Sequence, residues 1–259
     1  MTSIQKVILI GAGNVSTHIA NALFETKVKV LAIYSKTKEN AHALAMKFDT
    51  HWDDFSNIYT FDADLIIISV PDKALEDVLK QIPKSKALIV HTSGSINMTT
   101  LNTFERIGVF YPLQTFSKDK KVHFSSIPIM IESNSKNDLI LLEEMARLLT
   151  KKVYHINSHQ RKKIHIAAVF ANNFSNSLFL IAADLLSKEN IPFEVIQPLI
   201  AETADKLKEL HPYDAQTGPA LRNDQETIQE HLSNLDETPD YQELYKLLSQ
   251  QITQSRKTK

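Results

Sequence analysis

The sequence predicts an α/β protein in which a doubly wound, mainly parallel Rossmann sheet is followed by an all-helical C-terminal domain. Three observations along the 259-residue chain support this fold class. An apolar strand runs into a G-x-G-x-x-S turn, apolar runs then alternate with helical patterns as far as residue 157, and strand patterns stop after that point. We therefore expect a nucleotide-binding domain at residues 1–157 and a helical substrate or dimerisation domain at residues 158–259.

The first turn of the chain has the pattern of a phosphate-binding turn. Gly11 permits a tight turn, Gly13 lets backbone approach a pyrophosphate, and Ser16 is small enough for a helix to pack on the strand. The free N–H groups at the start of the following helix favour an anion. The predicted cofactor-binding residues of the turn are Gly11, Ala12, Gly13, Asn14 and Val15. An ordinary tight turn that binds nothing is the alternative.

The other elements are predicted from hydrophobic periodicity. In the first domain, strands are predicted at residues 28–34, 64–70, 87–91, 108–111, 127–131 and 153–155, and helices at 37–48, 72–79 and 136–149. Pro71 ends the apolar strand before it, and Asp72 is placed to cap the next helix. In the second domain, helices are predicted at about residues 159–190, 193–210, 218–234 and 241–253.

The end of the second strand indicates which dinucleotide the turn receives. NAD-binding units usually carry an acid there, which accepts hydrogen bonds from the ribose hydroxyls. Residues 28–38 contain no acid, whereas Ser35, Lys36 and Thr37 offer one positive charge and two hydroxyls. A 2′-phosphate favours such groups and is repelled by a carboxylate, so we predict NADP as the cofactor. A polar turn that caps the next helix is the alternative.

Polar loops follow two later strands, and ligands of such sheets bind beyond the carboxyl ends of the strands. The predicted cofactor-lining residues of these loops are Ser69, Val70, Pro71, Thr92 and Ser93. His91 completes its strand and is a candidate proton donor, although a buried structural histidine explains the position equally well. Plain strand termination is the alternative for the loops.

A helical stretch rich in Ala, Phe and Val carries a row of polar side chains. His165, Asn172 and Asn176 are spaced i, i+7 and i+11, so they share one face of a regular α-helix. We predict that His165 donates or accepts a proton, that Asn172 orients a carbonyl or hydroxyl, and that Asn176 contacts substrate. Helix–helix hydrogen bonds or a dimer surface are the alternatives.

Two further residues are predicted substrate contacts. Gln114 lies in a loop at residues 111–116 that is placed to face the substrate. Arg222 offers a bidentate partner for a substrate carboxylate. For Arg222, a surface ion pair with Asp224 or Glu226 is the alternative.

Composition excludes several other functions. Lys and Arg number 29 against 30 Asp and Glu, a net charge of −1, so no nucleic-acid partner is indicated. The chain has no cysteine, which excludes disulfides, thiolate metal sites and a cysteine nucleophile and fits a reducing compartment. No histidine cluster has metal-ligand spacing, so no metal is predicted. We expect no signal peptide and no apolar run of membrane-spanning length, hence a cytoplasmic protein.

Five short motifs resemble those of a bacterial family. They are Gly11-Ala12-Gly13-Asn14-Val15, Ser69-Val70-Pro71-Asp72, His91-Thr92-Ser93-Gly94-Ser95, Tyr111-Pro112-Leu113-Gln114-Thr115-Phe116 and Thr217-Gly218-Pro219-Ala220. Members of that family have a Rossmann-like domain followed by a C-terminal domain of unknown function and are labelled NADP oxidoreductases. The chain is more distantly similar to pyrroline-5-carboxylate reductases, deazaflavin-dependent NADP reductases and the 6-phosphogluconate dehydrogenase group. The resemblance implies the nucleotide-binding fold and a helical second domain often used for dimerisation, but no substrate.

One departure limits what the resemblance implies. In β-hydroxyacid dehydrogenases a lysine precedes an asparagine by one helical turn, whereas the equivalent position here is Val169 or Ala168. The lysine-based mechanism is therefore not expected. We expect an NADP(H)-dependent oxidoreductase, a homodimer that transfers a hydride to or from a small carbonyl or imine substrate at the interdomain cleft. A non-catalytic NADP(H) or metabolite sensor is the alternative.

Overall fold

The structure, a computed structural model, describes residues 3–117 and 120–257. Its strands are β1 Lys6–Ile10, β2 Lys29–Ser35, β3 His51–Asp54, β4 Leu65–Ile68, β5 Leu88–His91, β6 Ile107–Pro112, β7 Ile129–Ser133 and β8 Val153–His155. Its α-helices are α1 Asn14–Phe24, α2 Lys38–Ala45, α3 Leu75–Leu79, α4 Lys136–Leu149, α5 Ser158–Ala168, α6 Ser175–Lys188, α7 Gln197–Asp205, α8 Pro212–Ala215, α9 Pro219–Arg222, α10 Gln225–Ser233 and α11 Pro239–Lys257. A π-helical segment, Val169–Phe174, joins α5 to α6.

The strands form one sheet in the order β3-β2-β1-β4-β5-β6-β7-β8. Within the described residues every neighbouring pair is parallel except β6 and β7. This order is that of a doubly wound nucleotide-binding sheet with two added edge strands, so the predicted fold class is confirmed. The prediction missed β3, because its sequence His51-Trp52-Asp53-Asp54 has neither an apolar run nor an alternating pattern.

The central strands are buried because helices cover both faces of the sheet. All four residues of β4 and all four of β5 are buried. Successive residues point to opposite faces, so Val7 and Leu9 join a cluster with α1, α2 and α4, whereas Ile8 and Ile10 join a cluster with α3. This packing fixes the strand ends that carry the site.

The chain divides into two compact units, Met1–Asn172 and Asn173–Lys259. This division lies later than the predicted boundary at residues 157 and 158. Strand patterns do stop where the prediction placed the boundary, but α5 belongs to the first unit. Arg161 on α5 is fully buried and bonds to the loop after β5, which explains why the helix remains with the sheet.

The long helix that begins with α5 differs from its prediction in two respects. Its α-helical hydrogen bonding is interrupted by the π-helical segment, in which the backbone bonds run from i to i+5. By length and composition alone, the helix Ser158–Lys188 is also able to cross a membrane, with a mean hydropathy of 1.4 over its most apolar window. The expectation that no segment reaches this length and apolarity was therefore wrong, although a single such helix is weak evidence for a membrane segment.

Candidate functional site

Gly11 lies where three strands end together. Its φ of +113° is a conformation that other residues rarely adopt, and its N–H donates to the Tyr34 carbonyl oxygen at 2.7 Å. A Cβ atom on Gly11 would lie 2.2 Å from the carbonyl oxygen of Ser69. Only glycine fits this position, so the turn holds the ends of β1, β2 and β4 close together.

Gly13 leaves open space at the start of α1. A Cβ atom placed on it would meet no described atom within 4 Å, and among the described residues no side chain caps the helix. The first N–H groups of α1 are therefore left for a ligand, and the helix dipole favours an anion. Ala12 and Ser16 are buried, as close packing of helix on strand requires, and Val15 is half-buried. Within the described chain, the buried Ser16 hydroxyl has no hydrogen-bond partner.

The segment that follows β6 is tied to α1. The Asn14 side-chain amide donates to the Phe116 carbonyl oxygen at 2.7 Å, and Nε2 of His18 bonds to the Ser117 carbonyl oxygen at 2.9 Å. Asn14, predicted to bind cofactor, therefore uses its side chain to hold this segment, and its backbone N–H lies at the start of α1. Gln114, a predicted substrate contact, is exposed and accepts a hydrogen bond from the next backbone N–H.

The surroundings of β2 contain acids that the sequence reasoning did not place there. Strand β3 lies parallel to β2 and brings Asp53 and Asp54 beside its last residues. Lys38 forms an ion pair with Asp53 at 2.8 Å, and this hydrogen bond lowers the pKa of Asp53 to about 2. Asp54 accepts a hydrogen bond from the backbone N–H of Ser56 at 2.8 Å. One of the two acids is thus neutralised by a lysine of the adjoining helix.

A cavity of about 710 Å³ opens in front of this strand end. Lys36 and Thr37 line it and are exposed, as predicted residues for a 2′-phosphate should be. Ser35 is buried instead, and its hydroxyl accepts a hydrogen bond from the Thr37 N–H at 3.4 Å. Lys38, Asp54 and Asp77 also line the cavity, and Asp77 is paired with Lys80 at 2.9 Å.

The ends of β4 and β5 present hydroxyls side by side. Thr92 donates a hydrogen bond to the Ser69 hydroxyl at 3.1 Å. Val70 is half-buried, and Pro71 is exposed at the start of the next turn. Of the predicted cofactor-lining residues in these loops, Ser69 and Thr92 therefore lie together at the carboxyl edge of the sheet, where doubly wound proteins bind ligands.

The loop after β5 is folded by its own serines. The hydroxyl of Ser93 accepts hydrogen bonds from the backbone N–H groups of Ser95 and Ile96, each at 3.1 Å. The hydroxyl of Ser95 donates to the carboxylate of Asp72. The prediction that Asp72 caps its own helix was wrong, because that carboxylate bonds across to this loop and no side-chain cap is formed there by the described residues.

His91 is a buried part of the sheet rather than an open proton donor. Only 1% of it is exposed, and its Nδ1 accepts a hydrogen bond from the backbone N–H of Ser93 at 3.1 Å. Its Nε2 is buried without a hydrogen-bond partner among the described residues. Burial, assisted by the positive charge of Arg161, lowers its pKa to about 4. A neutral ring that shapes the loop fits these observations better than the predicted proton transfer.

His165 lies beside Tyr111, which the sequence reasoning placed in the substrate-facing loop but gave no catalytic role. Its Nδ1 is 3.2 Å from the hydroxyl oxygen of Tyr111, and both side chains are half-buried. Gly94 lies beneath the two rings, since a Cβ atom there would be 2.6 Å from Nδ1 of His165 and 2.9 Å from Cζ of Tyr111. Tyr111 is the second-last residue of β6, which lies next to β5, so the pair lies at the same sheet edge as Thr92. The predicted substrate-facing loop at residues 111–116, which begins with this tyrosine, was the signal that could have indicated it.

A buried charge network fixes α5 beside this pair. The guanidinium of Arg161 is fully buried, donates to the carbonyl oxygens of Ser93 and Ile96, and forms an ion pair with Glu132 on β7. Ser158, one turn earlier, donates to Glu132 at 2.7 Å and accepts from Arg161 at 3.1 Å. Because His165 lies one turn after Arg161 on α5, the network sets where the histidine stands.

The other predicted site residues, Asn172, Asn176 and Arg222, are exposed. Asn172 is exposed in the π-helical segment Val169–Phe174, and Asn176 is exposed in the second unit, where it lines an apolar cavity of about 400 Å³. The prediction that these asparagines share a helix face with His165 assumed a regular α-helix. That assumption was wrong, because the π-helical turn changes the rotation per residue. Arg222 is exposed in the second unit. Hydrogen bonds from Thr227 lower the pKa of Asp224, and the positive charge of Arg222 lowers it further.

Two known families match the chain. Residues 6–93 match the family described as NADP oxidoreductase, coenzyme F420-dependent, and residues 127–252 match a domain of unknown function, DUF2520. The predicted combination of a Rossmann domain with a domain of unknown function is confirmed, and so is NADP as the cofactor that goes with the first family.

Solved structures extend the comparison to the full chain. A Bacteroides fragilis protein described as a putative NADP oxidoreductase is 42% identical over 97% of this chain and 98% of its own, with a TM-score of 0.89. A 1-pyrroline-5-carboxylate reductase from Streptococcus pyogenes is 16% identical over 96% of this chain and 98% of its own, with a TM-score of 0.65. An imine reductase from Myxococcus stipitatus in complex with NADP+ is 15% identical over 98% and 94%, with a TM-score of 0.67. The last two show the fold alone.

A more partial likeness links the chain to glutamyl-tRNA reductases of Saccharolobus islandicus. They are 30% identical over 105 residues, which is 40% of this chain. The match spans 24% of the length of those curated relatives.

Proposed function

Because the chain belongs to the family that joins an NADP oxidoreductase domain to a DUF2520 domain, we propose that it transfers a hydride between NADP(H) and a small carbonyl or imine substrate. The observation that carries this proposal is the glycine turn. Gly11 is pressed against the Ser69 carbonyl, whereas the space in front of Gly13 is open. A turn needed only for chain reversal would not require both conditions.

The residues present fit the cofactor's phosphates. A pyrophosphate would accept hydrogen bonds from the backbone N–H groups at the start of α1, on Asn14 and Val15. The cavity at the end of β2 would take the adenosine end, with Lys36 and the Thr37 hydroxyl toward the 2′-phosphate. The Lys38–Asp53 ion pair removes one carboxylate from competition with that phosphate.

The reacting end of the cofactor would lie at the edge formed by Ser69, Thr92 and Tyr111. When bound, the nicotinamide supplies or accepts the hydride. The chain's own part is to hold the reacting group and to move a proton, for which His165 and its hydroxyl partner Tyr111 are placed. We propose these residues rather than His91 because His91 is enclosed and held neutral.

A pair of glycine variants tests the cofactor site without a known substrate. NADPH and NADH are titrated by fluorescence or calorimetry against the wild type and Gly13→Ala. The added methyl meets open space in the protein, so we expect unchanged unfolding but NADPH binding weakened tenfold or more, about 1.4 kcal/mol. Failure of the wild type to bind either dinucleotide would refute the proposal. Tight binding without turnover on carbonyl and imine panels would instead favour the sensor.

A lysine pair tests the preference for the 2′-phosphate. Lys36→Ala should weaken NADPH binding several-fold and leave NADH binding almost unchanged, since only NADPH carries the extra phosphate. Lys29→Ala is the matched control, because Lys29 is an exposed lysine at the opposite end of the same strand. The assignment of Lys36 to the 2′-phosphate would be contradicted if Lys36→Ala lost the same affinity for NADPH and NADH. It would also be contradicted if Lys36→Ala and Lys29→Ala lost the same affinity for NADPH.

We also propose that the protein is a homodimer through its second unit. Large apolar side chains there are exposed, among them Leu180 at 65%, Val195 at 63% and Leu199 at 67%. Exposed apolar area of this kind is typical of surfaces that another molecule covers. Sedimentation velocity should give twice the chain mass, and Leu199→Lys should shift the equilibrium toward monomer. A monomeric wild type that binds lipid vesicles would contradict the dimer.

A further inference from the structure

Tyr111 brings a hydroxyl to the ligand-binding edge of the sheet. Its oxygen lies 3.2 Å from Nδ1 of His165, with the two rings edge to face at 72° and their centroids 6.3 Å apart. Gly94 leaves the room for this arrangement, because any Cβ atom there would strike both rings. The pair is therefore set by packing within the first unit and is not a chance contact of two flexible surface side chains.

We propose that Tyr111 is a catalytic acid, that His165 replaces its proton, and that the substrate is an aldehyde or ketone rather than an imine. The proposal rests on the proposed function, which leaves carbonyl and imine substrates open. It adds a catalytic residue and narrows the substrate class to one of the two.

The proton balance of the reduction is complete with these two side chains. The carbonyl carbon gains the hydride, the π electrons of the C=O bond move to oxygen, and that oxygen takes the proton of the Tyr111 hydroxyl. The resulting phenolate takes the Nδ1 proton of His165. Solvent then returns a proton to the half-exposed histidine, so one hydride and one proton are consumed for each alcohol formed.

The positive charge of Arg161 near Tyr111 suits a substrate oxygen that becomes negative. Burial raises the pKa of Tyr111 above its usual 10, and the positive charge of Arg161 acts against this rise. Although tyrosine is a weak acid, it readily protonates the alkoxide that a carbonyl yields. The nearby cation also favours developing negative charge and disfavours an iminium cation. The nearby carboxylates of Glu132 and Asp72 are engaged by Arg161 and Ser95.

The test compares Tyr111→Phe with Tyr154→Phe, a matched removal of an exposed hydroxyl from another strand of the same sheet. Both variants and the wild type are assayed with NADPH against panels of aldehydes, ketones and cyclic imines, and NADPH binding is titrated separately. We expect the wild type to turn over carbonyl compounds, Tyr111→Phe to do so about 100-fold more slowly or worse, and Tyr154→Phe to match the wild type. The NADPH dissociation constant should stay within about twofold in all three proteins.

His165→Gln provides the second measurement. The glutamine amide can still donate a hydrogen bond to the tyrosine oxygen but cannot give up a proton, so the turnover rate should fall while NADPH binding persists. Turnover of imines in preference to carbonyl compounds, or undiminished carbonyl turnover in Tyr111→Phe, would overturn the proposal and leave the oxidoreductase assignment intact. Absence of NADPH binding in the wild type would refute both the proposed function and the inference that rests on it.

Discussion

Protonation of His91 should destabilise the protein in mildly acidic solution. The ring is buried, its Nδ1 is occupied by the Ser93 N–H, and its Nε2 has no partner among the described residues. Its pKa is about 4 in the folded chain against an ordinary 6.5. Between these values the unfolded chain binds a proton that the folded chain does not, so stability is fully present above pH 6.5 and is lost as pH falls toward 4.

The size of the loss follows from the two pKa values. By linkage, the free energy of unfolding should fall by about 2 kcal/mol between about pH 8 and about pH 5, and by about 3 kcal/mol in full. His91→Asn supplies a test, because an asparagine oxygen can accept the same backbone N–H and does not titrate. Its free energy of unfolding should therefore lose less on acidification than that of the wild type.

Urea denaturation followed by circular dichroism at about pH 8 and about pH 5 measures the difference. His155→Asn is the control, since His155 is exposed and hydrogen-bonded to Glu143 at 2.8 Å. Because the control retains His91, its free energy of unfolding should fall on acidification as much as that of the wild type. If His91→Asn and the wild type lose the same free energy between the two pH values, the inference of a buried neutral His91 is refuted.

Two further predictions concern packing and buried charge. Gly11→Ala should lower the free energy of unfolding by about 1–3 kcal/mol or more, because the new Cβ atom would lie 2.2 Å from the Ser69 carbonyl oxygen. Gly13→Ala is the control and should unfold like the wild type in the same urea experiment. Arg161→Met should cost about 3–5 kcal/mol because it leaves the Glu132 carboxylate unpaired in a largely buried position. Addition of Glu132→Gln should recover part of that loss in a double-mutant cycle, and strictly additive effects would argue against the pairing.

Local sequence was enough to predict the elements that form the cofactor turn. The apolar run of β1 indicated a buried strand, and the spacing of Gly11 and Gly13 favoured a phosphate-binding turn over an ordinary tight turn. The long apolar runs of β4 and β5 likewise predicted strands buried on both faces. Strand β3 was missed because a polar edge strand is defined by its neighbour rather than by its own residues.

Sequence reasoning identified His165 as a candidate for proton transfer but did not predict which residues surround it. The helical pattern and the histidine's ordinary role in proton transfer indicated the residue. Its alignment with Asn172 and Asn176 depended on a regular helix, and the π-helical segment Val169–Phe174 removes that condition. Predictions that assume uniform helix geometry hold over one or two turns and lose value over three.

The chain's own pattern thus determined the Rossmann architecture, the glycine turn and the NADP cofactor, because each depends on residues close together in sequence. Tertiary structure alone brought Tyr111 to His165 across 54 residues, Arg161 to Ser93 across 68, and Asp53 beside Tyr34. Sheet order and helix packing decide which distant side chains meet. Those meetings set the charges and hydrogen bonds on which the proposed proton transfer depends.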